Sequence, residues 1–309
     1  MKPYNIDIAV LFLFFSRAEQ TQKVFAEIKK ARPSKLFLYQ DGPREGRADD
    51  VAGIAACREI VADIDWDCEV HRLYQEKNYG CDPSEYISQK WMFEHVDKGI
   101  ILEDDDVPSQ SFFPFCKELL DKYEHDPRVA MISGMNHMGR VEVDADYFFS
   151  RKHGPIWGWA TWKRFVDMWD TDYKFLEDER TIKNLTDAGD LWPRRLASYH
   201  RHKATGREHY EDFVSSTCIF NAMFAIIPSR NLISNIGAGA DAVHNKTELA
   251  ELPPTVRRLF YAKTYDYDFP LRHPRYVVND VENTAAIDRA MTLTWRDRLF
   301  LLLQRFKKH

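Results

Sequence analysis

The chain has 309 residues, 44% of them hydrophobic, enough for one large α/β domain or two small ones with a sizeable core. Its formal net charge of −5 excludes a nucleic-acid binder that relies on overall positive charge. Its five cysteines are scattered and never form a C-x-x-C pair, which points to a reducing, cytoplasmic setting without a zinc cluster, and no stretch reaches the roughly 18 apolar residues of a membrane span.

Residues 8–15 are apolar, follow Asp7 and lead into Ser16-Arg17-Ala18-Glu19 with no small-residue cleavage site. They read as the first core strand, not as a signal peptide. Ser16 is the expected N-cap of the next helix, with Glu19 at the capping-box position. Val24, Phe25 and Ile28 recur at helical spacing, Pro33 closes that helix, and residues 35–40 form the second strand. That strand stops at Asp41-Gly42-Pro43, a turn signal. A helix over about 50–64 and a strand over 69–74 follow. Asp82 as N-cap, Pro83 at N1 and Glu85 at N3 then predict a helix carrying Ile87, Trp91, Met92 and Val96 toward the core.

That helix delivers the chain to Gly99-Ile100-Ile101-Leu102-Glu103-Asp104-Asp105-Asp106. An apolar run ended by four carboxylates reads as a buried strand emerging into a cleft. Like charges in a row repel, and they make sense around a hard divalent cation such as Mg²⁺ or Mn²⁺. Strand alternation would point Glu103 and Asp105 one way, Asp104 and Asp106 the other. An acidic turn capping the next helix is the plainer alternative. A helix from Pro108-Ser109 to about residue 124 and a strand over 128–133 complete a β/α alternation, the pattern of an open parallel sheet. Ligands bind such sheets beyond the carboxyl ends of the strands. Arg17, Asp41 and residues 103–106 fall at three such ends.

Five of the eight tryptophans, Trp157, Trp159, Trp162, Trp169 and Trp192, lie within residues 135–200. Indole faces pack against sugar rings and also fill cores. Period-2 spacing would put Trp157 and Trp159 on one face, for either purpose; Trp162 and Trp169 read as core. His209-Tyr210-Glu211-Asp212 opens a helix, and Asp212 falls in its first turn, where the helix dipole stabilises negative charge. Such a carboxylate serves as a general base or as a plain cap. A short strand over 225–227 and a polar, glycine-rich loop from Asn231 lead to His244. The tail, 291–309, places Leu293, Leu299, Phe300, Leu302, Leu303 and Phe306 among Arg296, Arg298, Arg305, Lys307 and Lys308. This is a basic amphipathic helix, suited to a membrane surface, a partner helix or its own domain. Residues 245–290 suggest no role.

Several of these pieces together resemble nucleotide-sugar-dependent glycosyltransferases of the GT-A fold, and most of all bacterial relatives of the N-acetylglucosaminyltransferase I group. They are Tyr39-Gln40-Asp41-Gly42, Asn78-Tyr79-Gly80-Cys81, Ile101-Leu102-Glu103-Asp104-Asp105 with Phe112-Phe113, Trp157-Gly158-Trp159-Ala160-Thr161-Trp162, and the run from Asn231 to His244. The resemblance covers about residues 6–246. It implies an α/β fold with a Rossmann-type, open, mostly parallel sheet flanked by helices. The catalytic domain would span 1–245, with a donor half over about 1–134 and an acceptor half over 135–245. A helical extension over 246–309 would follow.

By the same resemblance, Arg17, Asp41, Glu103 and Asp104 would bind the nucleotide sugar, UDP-linked by preference. Asp105 and His244 would hold Mn²⁺ or Mg²⁺, with Asp106 as an alternative ligand. Asp212 would be the catalytic base of an inverting transfer. Trp157 and Trp159 would face a glycan or lipid-linked acceptor in bacterial polysaccharide synthesis, at the inner face of the membrane. Asp82-Pro83-Ser84 departs from the basic residues expected after Gly80-Cys81, and Gly237-Ala238-Gly239-Ala240-Asp241 departs from the expected aromatic and Glu. A sugar-phosphate nucleotidyltransferase is the competing reading, although its glycine-rich first loop with a nearby Lys is missing. A non-catalytic sugar-binding module is another.

Overall fold

In the computed structural model, residues 1–151, 154–185, 192–206, 209–238 and 249–307 are described, 305–307 by backbone alone. The first strand, β1 (Ile6–Phe14), lies at the heart of the molecule and is apolar on both faces. Val10, Phe12 and Phe14 enter one core cluster, while Ala9, Leu11 and Leu13 enter another on the opposite face of the sheet. A strand covered on both sides reads as a continuous hydrophobic run, which is why residues 8–15 look so apolar.

The other strands are β2 (Pro33–Gln40), β3 (Glu69–Tyr74), β4 (Lys98–Glu103), β5 (Asp106–Pro108), β6 (Val129–Ser133), β7 (Tyr147–Ser150), β8 (Trp159–Trp162), β9 (Phe224–Pro228) and β10 (Ile233–Asn235). The principal helices are α1 (Ala18–Ala31), α2 (Ala48–Val61), α3 (Cys81–Phe93) and α4 (Phe112–Lys122). Then come α5 (Lys163–Val166), α6 (Glu179–Asn184), α7 (Trp192–Thr205), α8 (Tyr210–Phe220), α9 (Pro254–Arg257), α10 (Val281–Met291) and α11 (Trp295–Lys307). Eight strands form one sheet in the order β3-β2-β1-β4-β8-β6-β9-β7. The pairs β1/β2, β2/β3, β1/β4 and β6/β9 are parallel, and β8 runs antiparallel between β4 and β6. The chain therefore adopts the expected α/β class, with an open, mostly parallel sheet flanked by helices.

Several local expectations are corrected. The first helix starts at Ala18, with Arg17 and not Ser16 at the N-cap and no side-chain cap bond. Thr21 N–H donates to the Arg17 carbonyl, which sets that boundary. The third helix starts at Cys81 after Gly80, whose φ of 91° is glycine-specific backbone, so Asp82 lies inside the first turn rather than capping it. Strand alternation does not continue through the acidic run. The fourth strand ends at Glu103, Asp104-Asp105 make a turn, and Asp106 begins β5, which pairs antiparallel with β10.

Trp157 and Trp159 do not share a face. Gly158, between them at φ 60°, breaks the extended backbone. A Cβ at Gly158 would also lie 2.4 Å from the Ile233 side chain. Trp159 is buried in the cluster that holds Leu11 and Leu13, whereas Trp157 is half-buried against Phe260.

The stretch for which the sequence suggests no role is a strap. Leu259, Tyr267 and Leu271 are buried in the core. Tyr265 N–H donates to Asn231 (2.9 Å), Tyr267 N–H to Ser111 Oγ (3.0 Å), Arg272 N–H to Asp146 (2.7 Å) and Asp280 N–H to Phe149 (2.8 Å). No helix among the described residues is long and apolar enough to cross a membrane.

Candidate functional site

The adjacent parallel strands β1, β2 and β4 end at Phe14, Gln40 and Glu103. The residues just beyond these ends meet. Arg17 reaches across from the first end: its Nε lies 3.3 Å from Asp104 Oδ2, its Nη2 also bonds Asp104 Oδ1, and Nη2 lies 2.9 Å from Asp105 Oδ2. One guanidinium thus bridges two neighbouring carboxylates.

Asp106 goes elsewhere. It is fully buried, with Oδ2 accepting from Gly158 N–H at 2.7 Å and Oδ1 from Asn235 Nδ2 at 3.0 Å. Asn235 also donates to Asp105 Oδ1 at 3.1 Å, so one amide at the end of β10 holds both acids. Both oxygens of each acid thus carry a protein donor, Asp105 from Arg17 and Asn235 and Asp106 from Gly158 and Asn235, but Asp106 is fully buried whereas Asp105 is partly exposed. Gly237 permits the close approach of the following loop, since a Cβ there would lie 2.0 Å from Asp105 Oδ2.

Asp41 accepts from Gly42 N–H (2.9 Å), Asn78 Nδ2 (3.0 Å), Tyr79 N–H (3.0 Å) and Gly80 N–H (2.9 Å). Four donors satisfy its carboxylate, so in this structure it ties the Asn78-Tyr79-Gly80 turn to the end of β2 and presents little to a ligand. Burial still raises its pKa, against the pull of those donors.

A second layer of acid lies behind the first. Glu85 of α3 is buried, accepts from Gln89 Nε2 at 3.2 Å and shares a hydrogen bond with Glu103. Burial, reinforced by the charges of Glu211 and Asp106, pushes the Glu85 carboxyl up to about 8. Glu103 is likewise raised well above the usual carboxylate range by burial and then by Glu85, Asp106, Asp105 and Asp104. Asp106 is raised by burial and by Asp105. The Cys81 thiol and the Tyr210 hydroxyl, set among the same acids, are pushed up chiefly by burial and are held protonated. Accumulated negative charge that the fold meets partly by retaining protons suits a hard divalent cation.

Asp212 falls in the first turn of α8, as its position in the sequence implies. His202 Nδ1 of α7 and Tyr173 OH (3.3 Å) both bond its Oδ2. Neither bond involves Oδ1. The His202 ring stacks on His209 with centroids 3.5 Å apart, and His209 Nδ1 lies 3.8 Å from Asp82. Asp82, His209 and Glu211 each bring a ligand atom within 4.8 Å of the others, a mixed nitrogen–oxygen donor set able to take a cation. His202 and His209 therefore connect Asp212 to Asp82 in the first turn of α3. His244 lies outside the described residues.

The structure sets Arg17 against Asp104 and Asp105, directly after Glu103; Asp41 follows the end of the neighbouring β2, and Asp212 stands in the first turn of α8. Sequence reasoning missed Glu85, Asn235 and His202. Asn235 stands inside a stretch already singled out, but nothing marks it as the partner of two aspartates more than a hundred residues away.

No protein-family model and no curated protein matches the chain. Among solved structures it is similar to the inositol-1-phosphate CTP transferase from T. maritima, with a TM-score of 0.38 and 11% identity over 82% of this chain and 94% of that one. It is also similar to apo UDP-glucose pyrophosphorylase, with a TM-score of 0.35 and 9% identity over 74% and 93%. The glycosyltransferase GlyE of Streptococcus pneumoniae TIGR4 has a TM-score of 0.35 and 10% identity over 98% and 64%. Likenesses this distant carry no argument about activity.

Proposed function

We propose that the chain is a divalent-metal-dependent, inverting glycosyltransferase that moves a sugar from a nucleotide donor, UDP-linked by preference, to a hydroxyl of a glycan or lipid-linked acceptor. The observation that carries this reading is the convergence at the strand ends: Asp105 beside Arg17, with Asp212 separately held by His202 and Tyr173. Kinship to the N-acetylglucosaminyltransferase I group rests on the sequence motifs alone.

In this reading Asp105 would hold a divalent metal, which when bound would supply positive charge for the departing diphosphate. Arg17 fixes the direction of Asp104 and Asp105. Tyr173 and His202 occupy Asp212 Oδ2, so Oδ1 is the atom that takes the acceptor proton. General-base assistance of this kind contributes about 10²–10⁴-fold in rate. Asp41 shapes the base pocket through the turn it holds rather than through its own oxygens.

A thermal-shift screen of nucleotide sugars with and without Mn²⁺ tests the reading. A true donor at a hundredfold excess over its Kd stabilises the fold by about 2.7 kcal/mol. The melting temperature should rise with one nucleotide sugar only when Mn²⁺ is present, and Asp105→Ala should lose that rise. A metal-dependent shift retained by Asp105→Ala would move the ligand elsewhere. Release of pyrophosphate from a nucleoside triphosphate and a sugar phosphate would favour the nucleotidyltransferase instead.

A further inference from the structure

The last helix, α11, is docked on one side and bare on the other. Its inner side is anchored by Asp297, which is fully buried and accepts from Thr255 N–H at 3.0 Å and Thr294 N–H at 2.8 Å. Arg257 lies over the Phe300 ring at 5.8 Å. The outer side carries Trp295, Leu299, Leu302 and Leu303, spaced i, i+4, i+7 and i+8, and all four are exposed, at 69%, 46%, 49% and 54%. That spacing makes one stripe along a helix. Met291 and Leu293, just before it, are exposed as well. A soluble monomer rarely leaves so continuous an apolar surface uncovered.

The charges beside the stripe identify what covers it. Exposed Arg296 and Arg298 follow Trp295, one on each side of the stripe by helical angle, with the Arg296 guanidinium 5.4 Å from the indole ring. The sequence adds Arg305 and Lys307 farther along. The helix's acid, Asp297, is turned inward and spent on its threonine partners. An apolar stripe with indole at its head and cations at its edges matches a helix lying in a lipid interface. A second copy of the same helix would bring arginine against arginine.

We propose that α11 rests on the surface of an anionic bilayer, with Trp295, Leu299, Leu302 and Leu303 in the acyl boundary and Arg296 and Arg298 at the phosphates. The catalytic reading does not depend on this contact, and the contact does not depend on that reading.

Co-sedimentation of the full chain with vesicles tests it. The chain should pellet with phosphatidylcholine–phosphatidylglycerol vesicles, more weakly with phosphatidylcholine alone, and less as salt rises. Arg296→Gln and Arg298→Gln should each weaken binding to the anionic vesicles about fivefold. Leu299→Asp with Leu302→Asp should abolish binding to both, while its melting temperature and circular dichroism stay those of the parent because both positions are exposed. A chain that stays in the supernatant with anionic vesicles would overturn the proposal. So would a solution dimer, seen by light scattering, that the Leu299/Leu302 variant dissociates, since the stripe would then be covered by its own copy.

Discussion

Oδ1 of Asp212 is the atom on which the proposed chemistry turns, because its twin already holds two donors. Asp212→Asn should keep the shape and lose the base. Its kcat should fall about 10²–10⁴-fold, while the donor-induced melting shift stays at the parent value; loss of donor binding instead would make Asp212 structural. Glu85 gives a pH prediction. Its carboxyl binds a proton more tightly folded, at about 8, than at its ordinary 4.5. Below 4.5 both folded and unfolded chains hold that proton. As pH climbs from 4.5 to about 8 the unfolded chain releases it first, and stability falls. Melting curves of metal-free protein should therefore drop across this window, and Glu85→Gln should flatten the drop. An equal slope in the variant would place the titrating group elsewhere. The places of Asp212 in the first turn of a helix and of Asp105 just past a strand end were legible from position. Glu85 was not, because its place at the start of a helix looks like an ordinary first-turn acid, and only packing shows that it faces Glu103.

The short strands β5 and β10 act as a latch. Three residues pair with three, and Asn235 closes the end by donating to Asp105 and Asp106. Asn235→Ala would leave one buried and one half-buried carboxylate without that donor, at a cost of about 1–3 kcal/mol. Urea titration should show that loss, together with weaker Mn²⁺-dependent donor binding. Full stability with unchanged metal response would show that the latch is incidental. The longer elements through residue 134 could be read from the sequence with boundaries off by a few residues, since periodicity extends through them, whereas α7 and α10 were not read. The latch could not, because three residues are too few to show a period. The break after Glu103 was hidden for a related reason: a run of acids looks the same whether it continues a strand or turns.

At the scale of the molecule, the alternation of strands and helices through residue 134 fixed the parallel half of the sheet, and with it the side on which the site opens. What alternation could not reveal is the order β4-β8-β6, nor that a stretch with no recognisable pattern laces Leu259, Tyr267 and Leu271 into the core. Both depend on pairing between distant segments, where local pattern carries no information. The position of β8 has a consequence for how the protein is made. The open edge of β4 stays bare on the ribosome until residues 159–162 have emerged, because the strand that covers it is encoded after β6 and β7. The half built from β1 to β4 therefore cannot finish folding before its neighbour has begun, and a fragment ending near residue 134 should be sticky.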